Sequence, residues 1–221
     1  MADTGSATRR AYDAILDGIL RGNYEPGTML GEAGLAAEIG VSRTPVRTAL
    51  ALLQDEGWIT VYPKRGALVR GLSARDVRDL ADARLIIEST AVQRATSVAH
   101  DALVSRLSAQ IHRQRASLAD RDAVGFIELT IEFHRAFVEA GDNRVMLELY
   151  DKVGDRQRFL LLSYGETLLT RCEAIIAEHH TMVEKIKAHD TGGFAELLRT
   201  HLSDTYHSEL HEVCQNLPAS S

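Results

Sequence analysis

The chain has 221 residues, of which 45% are hydrophobic and 25% charged, and its net charge is −6; this is an ordinary composition for one large or two small globular domains. The composition excludes a disordered chain, a collagen-like chain and a disulfide-rich scaffold. Cys172 and Cys214 follow no secretory leader, and no apolar run approaches the roughly 18 residues of a membrane helix, so we expect a cytoplasmic protein with reduced thiols and no membrane partner.

The N-terminal region is predicted to begin with three helices. Apolar residues at helical spacing indicate a helix over 7–21 and a short helix over 32–39 that ends at Gly40. Ser42 is suited to cap a third helix, and Pro45 then takes the third helical position, where its missing N–H is not needed. Two helices joined by a tight turn are typical of a helix-turn-helix, whose second helix enters the major groove of DNA.

A β-hairpin is predicted to follow these helices. The β-rich runs 58–62 and 67–70 are separated by the basic turn 63–66. Residues 39–75 contain six basic residues against two acidic ones, whereas the segments on either side carry a net negative charge. Local positive charge of this kind is typical of a phosphate-binding surface. The sequence therefore predicts a winged helix-turn-helix over residues 1–72.

Four side chains at the start of the third helix are candidates for contacts with double-stranded DNA. Arg43 and Arg47 lie one helical turn apart on the exposed face, and arginine can bind guanine edges in bidentate fashion. The hydroxyls of Ser42 and Thr44 are suited to phosphate oxygens. The alternative interpretation is that the two arginines only form a solvated helix face.

The motifs of this region resemble a known family. The run LGEAGLAAEIGVSRTPVRTAL at 30–50, together with RGALVRGLS at 65–73, is similar to the DNA-binding domain of the GntR family of bacterial transcription regulators. The resemblance implies a homodimer on a pseudo-palindromic operator, with Arg43, Thr44 and Arg47 in the major groove. It places the hairpin tip, Arg65 and Gly66, in the minor groove, where Gly66 would let the backbone approach closely. One departure is Thr48, where the family more often has Glu.

From residue 73 the strand signals disappear and an all-α bundle of about six helices is predicted over 73–221. Ser73 and Asp76 have the spacing of a capping box at the first of these helices. The short links imply antiparallel neighbours, and a bundle of this size can enclose a pocket. The predicted breaks between the helices fall near 100–101, 120–122, 141–143, 165–166 and 190–193.

Three histidines occupy apolar helix faces. His134, His179 and His201 each recur at helical spacing with aliphatic or aromatic neighbours, and each belongs to a different predicted helix. Buried histidines are often hydrogen-bonded core residues. Three that converge can instead bind one divalent transition metal and leave positions open for a small molecule.

The C-terminal region is similar to the FCD effector-sensing domain of FadR-type GntR regulators, through the segments 126–143, 177–190 and 197–202, and its helix count favours the VanR-like variety. The resemblance implies a metal held by one Asp and three His; the histidines match His134, His179 and His201, but Thr130 stands where the Asp is expected. The sequence does not distinguish zinc, nickel and manganese. Three alternatives follow: a three-His metal site with extra water, a weakened site without metal, and direct binding of an effector by the histidines.

Arg84 matches the family's arginine in the first helix of this domain, and its planar fork suits the carboxylate of an anionic effector. The alternative is an ion pair between Arg84 and Glu88, four residues apart. The sequence thus predicts an effector-responsive transcription regulator, a repressor, whose operator affinity changes when a small carboxylate binds Arg84 and the histidines. A helical metalloenzyme and a DNA-binding dimer that responds to no effector are the competing interpretations, although no motif of a known hydrolase supports the former.

Overall fold

The computed structural model of the chain describes residues 4–164 and 170–206. The chain divides into two compact units, Met1–Leu72 and Ser73–Ser221. The predicted fold class is confirmed, since a small winged helix-turn-helix comes first and helices alone make up the described part of the second unit. Among the described residues, no helix is both long and apolar enough to cross a bilayer.

The N-terminal unit contains three helices and a three-stranded antiparallel sheet. Its elements are α1 (Thr4–Leu20), β1 (Met29–Leu30), α2 (Glu32–Ile39), α3 (Arg43–Asp55), β2 (Ile59–Tyr62) and β3 (Gly66–Val69). Strand β3 lies between β1 and β2, with Ile59 opposite Val69 and Tyr62 opposite Gly66. Apolar residues of all three helices and of the hairpin are buried together, and these include Ala11, Ile15, Ile19, Leu35, Val46, Leu53, Trp58 and Val69.

Strand β1 is a feature that the sequence does not predict, because two residues are too few to show an alternating pattern. Its pairing with β3 explains the glycine at position 66. Gly66 has a φ of 119°, and a Cβ there would lie 2.5 Å from the carbonyl oxygen of Leu30. Any other residue would therefore clash with β1 and adopt a strained backbone, so the wing requires this glycine whether or not DNA is bound.

The described part of the C-terminal unit contains six helices, in agreement with the predicted number. They are α4 (Ala74–Arg94), α5 (Ser97–Ala119), α6 (Ala123–Ala140), α7 (Arg144–Tyr164), α8 (Cys172–Lys187) and α9 (Thr191–Tyr206). Helix α6 packs against α4, α5 and α7, while α8 packs against α5 and α9, and α9 packs against α4. The interior between these helices therefore receives side chains from several of them at once.

The predicted capping box at the start of α4 is confirmed. The Asp76 N–H donates to Ser73 Oγ at 3.1 Å, and the Ser73 N–H donates to Asp76 Oδ2 at 2.8 Å. The predicted break at 100–101 is wrong. Helix α4 ends at Arg94, and the Thr96 hydroxyl caps α5 by accepting a hydrogen bond from the Ala99 N–H at 3.2 Å, so the break precedes residue 97.

The last predicted break also needs a correction. Asp190 accepts a hydrogen bond from the Gly193 N–H at 2.8 Å, and α9 begins at Thr191, so the two glycines at 192 and 193 lie inside the helix rather than in a loop. The side chain of Asp190 satisfies the Gly193 N–H in the first turn, and this outweighs the low helix propensity of glycine. The predicted break at 165–166 lies outside the described residues.

Candidate DNA-contact surface and buried histidine site

The start of α3 exposes its polar side chains and buries its apolar ones. Ser42, Arg43 and Thr44 are exposed, whereas Pro45 and Val46 are buried. Ser42 occupies the predicted N-cap position, but its hydroxyl makes no capping hydrogen bond. The hydroxyl and the first N–H groups of α3 therefore remain accessible, which is the arrangement that binds phosphate oxygens.

Arg47 lies one turn beyond Arg43 and is engaged by a carboxylate of α2. Its Nε donates to Glu32 Oε1 at 3.1 Å and its Nη2 donates to Glu32 Oε2 at 2.8 Å. These hydrogen bonds lower the pKa of Glu32, while the Arg47 side chain stays 71% exposed. The guanidinium is thus held in one orientation at the surface. Solvent screens this ion pair, so another anion can replace Glu32 as the partner of Arg47.

The tip of the β2–β3 hairpin is a second basic surface of this unit. Lys64 and Arg65 are exposed, and the turn is closed by a hydrogen bond from the Arg65 N–H to the Tyr62 carbonyl at 3.0 Å. Lys64 has a φ of 64°, and the turn ends at Gly66. The structure thus shows that the predicted DNA-contact residues other than glycine are at the surface; their contacts with DNA stay a prediction.

In the C-terminal unit, the three histidines of apolar helix faces meet in the interior. His134 of α6, His179 of α8 and His201 of α9 are 0%, 0% and 2% exposed. Their ring centroids are 5.1 to 5.2 Å apart in each pairing, and one ring nitrogen of each lies within 4.8 Å of those of the other two. The three imidazoles therefore form one cluster.

Each imidazole is oriented by an acceptor at Nδ1. His134 Nδ1 lies 2.8 Å from Glu88 Oε2, and His201 Nδ1 lies 2.6 Å from Glu178 Oε2. His179 Nδ1 lies 2.9 Å from Gln114 Oε1, and the amide of that glutamine donates through Nε2 to the Leu129 carbonyl. Since carboxylate and amide oxygens only accept, each Nδ1 carries its hydrogen, and each Nε2 of a neutral ring has a free lone pair.

Burial keeps two of these rings neutral. It lowers the pKa of His134 and of His179 well below the ordinary value, and the neighbouring Arg84 and His201 lower both further. Burial also raises the pKa of Glu178, but His201 and Arg171 together outweigh that effect and lower it. His134 and His179 are therefore uncharged at neutral pH, the form in which imidazole binds a metal.

Arg84 and Glu88 form the ion pair that the sequence offered as an alternative, and both are buried. Arg84 Nε donates to Glu88 Oε1 at 2.7 Å, and Nη1 donates to the Tyr206 hydroxyl. The Tyr150 hydroxyl also donates to Glu88 Oε1, at 2.6 Å. Burial raises the pKa of Glu88, while the charge and hydrogen bond of Arg84 and the hydrogen bond from Tyr150 oppose part of that rise. The ion pair does not use all of Arg84, because Nη2 has no partner.

A small cavity adjoins this cluster. It contains about 270 Å³ of space between atoms, of which about 10 Å³ is open to the centre of a water-sized sphere. Arg84, Thr130, His134 and His201 line it, so the cavity joins three of the four predicted effector residues to Thr130, the residue in the place of the expected Asp; the fourth, His179, is not among its lining residues. Thr130 Oγ1 is buried without a hydrogen-bond partner.

Several polar residues of this site are absent from the sequence-based prediction: Gln114, Gln157, Glu178 and Thr205, together with Glu88 in its contact with His134. The sequence contains a signal that could have identified some of these residues. Gln114 and Gln157 are uncharged polar residues at buried helical positions, and Thr205 lies one turn after His201. Polar residues on an apolar face are candidates for buried hydrogen-bond networks.

The two units define a class of protein. A winged helix-turn-helix with exposed arginines is a DNA-binding unit, and a helical unit with a buried histidine cluster beside a cavity is suited to bind a small ligand. Comparison with known families agrees with this. Residues 7–69 match the family described as "Bacterial regulatory proteins, gntR family", and residues 79–204, more than half of the chain, match the FCD domain. The chain belongs to the GntR family of transcription regulators with an FCD domain.

Relatives of known sequence and structure support this membership. The gluconate operon transcriptional repressor of Bacillus licheniformis is 30% identical over 190 residues, which are 84% of this chain and 78% of that protein. The transcriptional repressor RspR of Escherichia coli is 24% identical over 204 residues, 91% of this chain and 88% of that protein. A GntR regulator from Rhodococcus sp. RHA1 superposes with a TM-score of 0.78 at 25% identity, covering 91% of this chain and 96% of that one.

Family membership decides between the competing interpretations of the sequence. Proteins with this pair of domains are transcription regulators and not enzymes, so the metalloenzyme alternative is wrong. The resemblance to the FadR-type branch is confirmed by the order of the two domains. The VanR-like variety stays a prediction, because the matches do not separate the varieties of FCD domain.

Proposed function

We propose that this protein is a cytoplasmic repressor whose affinity for a pseudo-palindromic operator is changed by a small carboxylate in the C-terminal cavity. The observation that carries the proposal is the cluster of His134, His179 and His201, with oriented Nδ1 atoms, beside a cavity that His134, His201 and Arg84 line. An effector that binds one arrangement of a homodimer better than another would shift the population and alter the spacing of the two winged units.

His134, His179 and His201 would hold a divalent transition metal through their Nε2 atoms. This donor set fits, because the Nε2 atoms of His134 and His179 are buried without hydrogen-bond partners and imidazole nitrogens suit zinc or nickel, whereas manganese prefers oxygen ligands. Glu88, Gln114 and Glu178 would orient the ligands from the outside. Three protein ligands leave positions open for water or for an effector carboxylate, which the metal would bind as a Lewis acid.

Metal analysis tests this site. Untagged protein purified without chelator should contain about one metal atom per chain by elemental analysis, and a His179→Gln variant should contain almost none. The His179→Gln substitution should leave the fold intact, which circular dichroism checks. A metal content near zero in the wild-type protein would contradict the metal site and leave direct effector binding by Arg84 and the three histidines.

DNA contacts are assigned to the side chains at the start of α3 and to the wing tip, namely Ser42, Arg43, Thr44, Arg47, Arg65 and Gly66. Arg47→Ala should abolish specific operator binding while the protein stays folded, because an arginine at a base edge supplies both charge and bidentate hydrogen bonds. The control is Arg21→Ala, which removes an equal charge from an exposed ion pair with Asp17 directly after the end of α1. Unchanged specific affinity and salt dependence in Arg47→Ala would show the major-groove assignment to be wrong.

A further inference from the structure

The cavity beside the histidine cluster is surrounded by buried polar atoms without hydrogen-bond partners. Four helices contribute them, and all five side chains are at least 93% buried: Arg84 Nη2 from α4, Thr130 Oγ1 and His134 Nε2 from α6, Gln157 Oε1 from α7, and Thr205 Oγ1 from α9. Each of these residues lines the same cavity. A buried polar atom that lacks a partner costs on the order of 1–3 kcal/mol, so five at one place form a polar site that a bound molecule would stabilise by pairing with them.

These atoms define the chemistry of a ligand. Arg84 Nη2 is a charged donor and marks one requirement, an anionic group such as a carboxylate. Gln157 Oε1 is an acceptor, so it needs a ligand group that donates a hydrogen. The hydroxyls of Thr130 and Thr205 can donate or accept. A simple fatty acid satisfies the first requirement and leaves Gln157 unpaired.

We infer that Gln157 and Thr205 bind a hydroxyl group of the effector, and that the effector is a hydroxycarboxylic acid. The inference rests on the proposed function, since it assumes that this cavity binds the carboxylate effector. A site with buried groups placed to hydrogen-bond a hydroxyl discriminates strongly against the analogue without it, because those groups then stay unpaired in the complex. Gln157 and Thr205 are therefore specificity-determining residues.

The cavity is so small that ligand binding requires a rearrangement of the surrounding helices. Only about 10 Å³ admits the centre of a water-sized sphere, so a hydroxy acid does not fit unless the surrounding helices move. Gln157 lies on α7 and Thr205 on α9, and Arg84 and Thr130 lie on α4 and α6. A ligand that bridges these groups holds four helices in a second arrangement, which is the differential binding that a population shift requires.

Titration calorimetry on the full-length chain tests the inference, with butyrate, 2-hydroxybutyrate and 3-hydroxybutyrate as probes. Each acid is measured on zinc-loaded and on chelator-treated protein. At least one hydroxy acid should bind about tenfold or more tightly than butyrate. Thr205→Val and Gln157→Leu should each reduce that preference, and the double variant should remove it while butyrate affinity stays the same.

The matched control is Thr200→Val, which changes an exposed threonine on the same helix. It should keep the full preference. Thr205→Val also has a readout without ligand: since its hydroxyl has no partner, the isosteric change should not lower the unfolding temperature. A drop in unfolding temperature would mean that Thr205 has a structural role.

The outcomes separate the inference from the proposed function. If butyrate binds as tightly as both hydroxy acids, the hydroxyl assignment is wrong and the carboxylate effector stands. If a hydroxy acid is preferred but the double variant keeps the preference, Gln157 and Thr205 are not its contacts. If none of the three acids binds at millimolar concentration, the carboxylate effector of the proposed function fails as well.

Discussion

One arginine–glutamate pair of the N-terminal unit and one of the C-terminal unit have nearly the same length but opposite surroundings. Arg47 and Glu32 are joined at 2.8 Å with side chains 71% and 31% exposed. Arg84 and Glu88 are joined at 2.7 Å with side chains 1% and 0% exposed. The chemistry is the same, so any difference in role comes from the solvent around it.

Exposure decides whether such a pair can exchange partners. An exposed ion pair is screened by water and salt, so a phosphate or a base edge can replace Glu32 at small cost. A buried pair has lost its hydration, and separating it leaves an uncompensated charge in a medium of low dielectric constant. The exposed arginine is therefore suited to recognise a macromolecule, whereas the buried one is suited to organise a cavity and to offer its remaining N–H to a small ligand.

Removing the buried carboxylate should have the largest effect. Glu88→Gln leaves Arg84 without a counter-ion and should destabilise the C-terminal unit by about 3–5 kcal/mol. The measurement is unfolding in urea followed by circular dichroism. The double variant Arg84→Met with Glu88→Gln should recover much of the loss, since both charges are then absent. A single variant as stable as the wild type would mean that the Arg84–Glu88 pair contributes nothing to folding.

A decrease in pH should destabilise the C-terminal unit more than the N-terminal unit. The pKa values of His134 and His179 are far below the ordinary value of about 6.5 that holds in the unfolded chain. Below that pH the unfolded chain binds protons that the folded chain does not. The contribution of these two histidines to the free energy of unfolding is therefore fully present above a pH of about 6.5 and is lost as the pH decreases. Between pH 7.5 and 5.5 the C-terminal unit should lose about 1 kcal/mol for each of the two histidines.

The N-terminal unit is the internal control for this experiment, because the first 99 residues contain no histidine. Unfolding is measured at several pH values with a chelator present, following the near-ultraviolet signal of Trp58 for the N-terminal unit and amide hydrogen exchange for both. Equal losses in both units would contradict the assignment of the effect to His134 and His179.

Loss of a residue that orients a histidine should weaken metal binding without removing a ligand. Gln114→Leu deletes the acceptor at His179 Nδ1 and should lower zinc affinity about 10- to 100-fold. Competition with a chromogenic chelator gives the affinity. Gln110→Leu, at another buried glutamine on α5, is the matched variant and should leave zinc affinity unchanged. Equal affinities in wild type and Gln114→Leu would show that the glutamine does not position the ligand.

The exposed pair should give the smallest effect. Glu32→Gln frees Arg47 from its carboxylate and removes one negative charge near the DNA-contact surface, so operator affinity should rise a few-fold and stability should change by less than about 0.5 kcal/mol. Fluorescence anisotropy with labelled operator measures the affinity at two salt concentrations. A marked loss of affinity would instead mean that Glu32 holds Arg47 in the orientation that DNA requires.

Much of the fold is predictable because its signals are local. Gly40 at a helix end, Pro45 in a first turn and the Ser73–Asp76 capping box act within four residues, and the structure contains each of them where the pattern places it. The errors have local causes too. Thr96 and Asp190 each cap the start of a helix, so the helix begins at a different residue from the one that composition alone suggested.

What the sequence determined by itself is the order of the two units, the type of each element and the inward faces that carry His134, His179 and His201. These follow from periodicity, which is a property of neighbours along the chain. Only the tertiary structure decided which polar groups meet. Glu88 is 46 positions from His134 and Gln114 is 65 from His179. The angles at which helices pack determine such contacts, and no spacing along one helix encodes them.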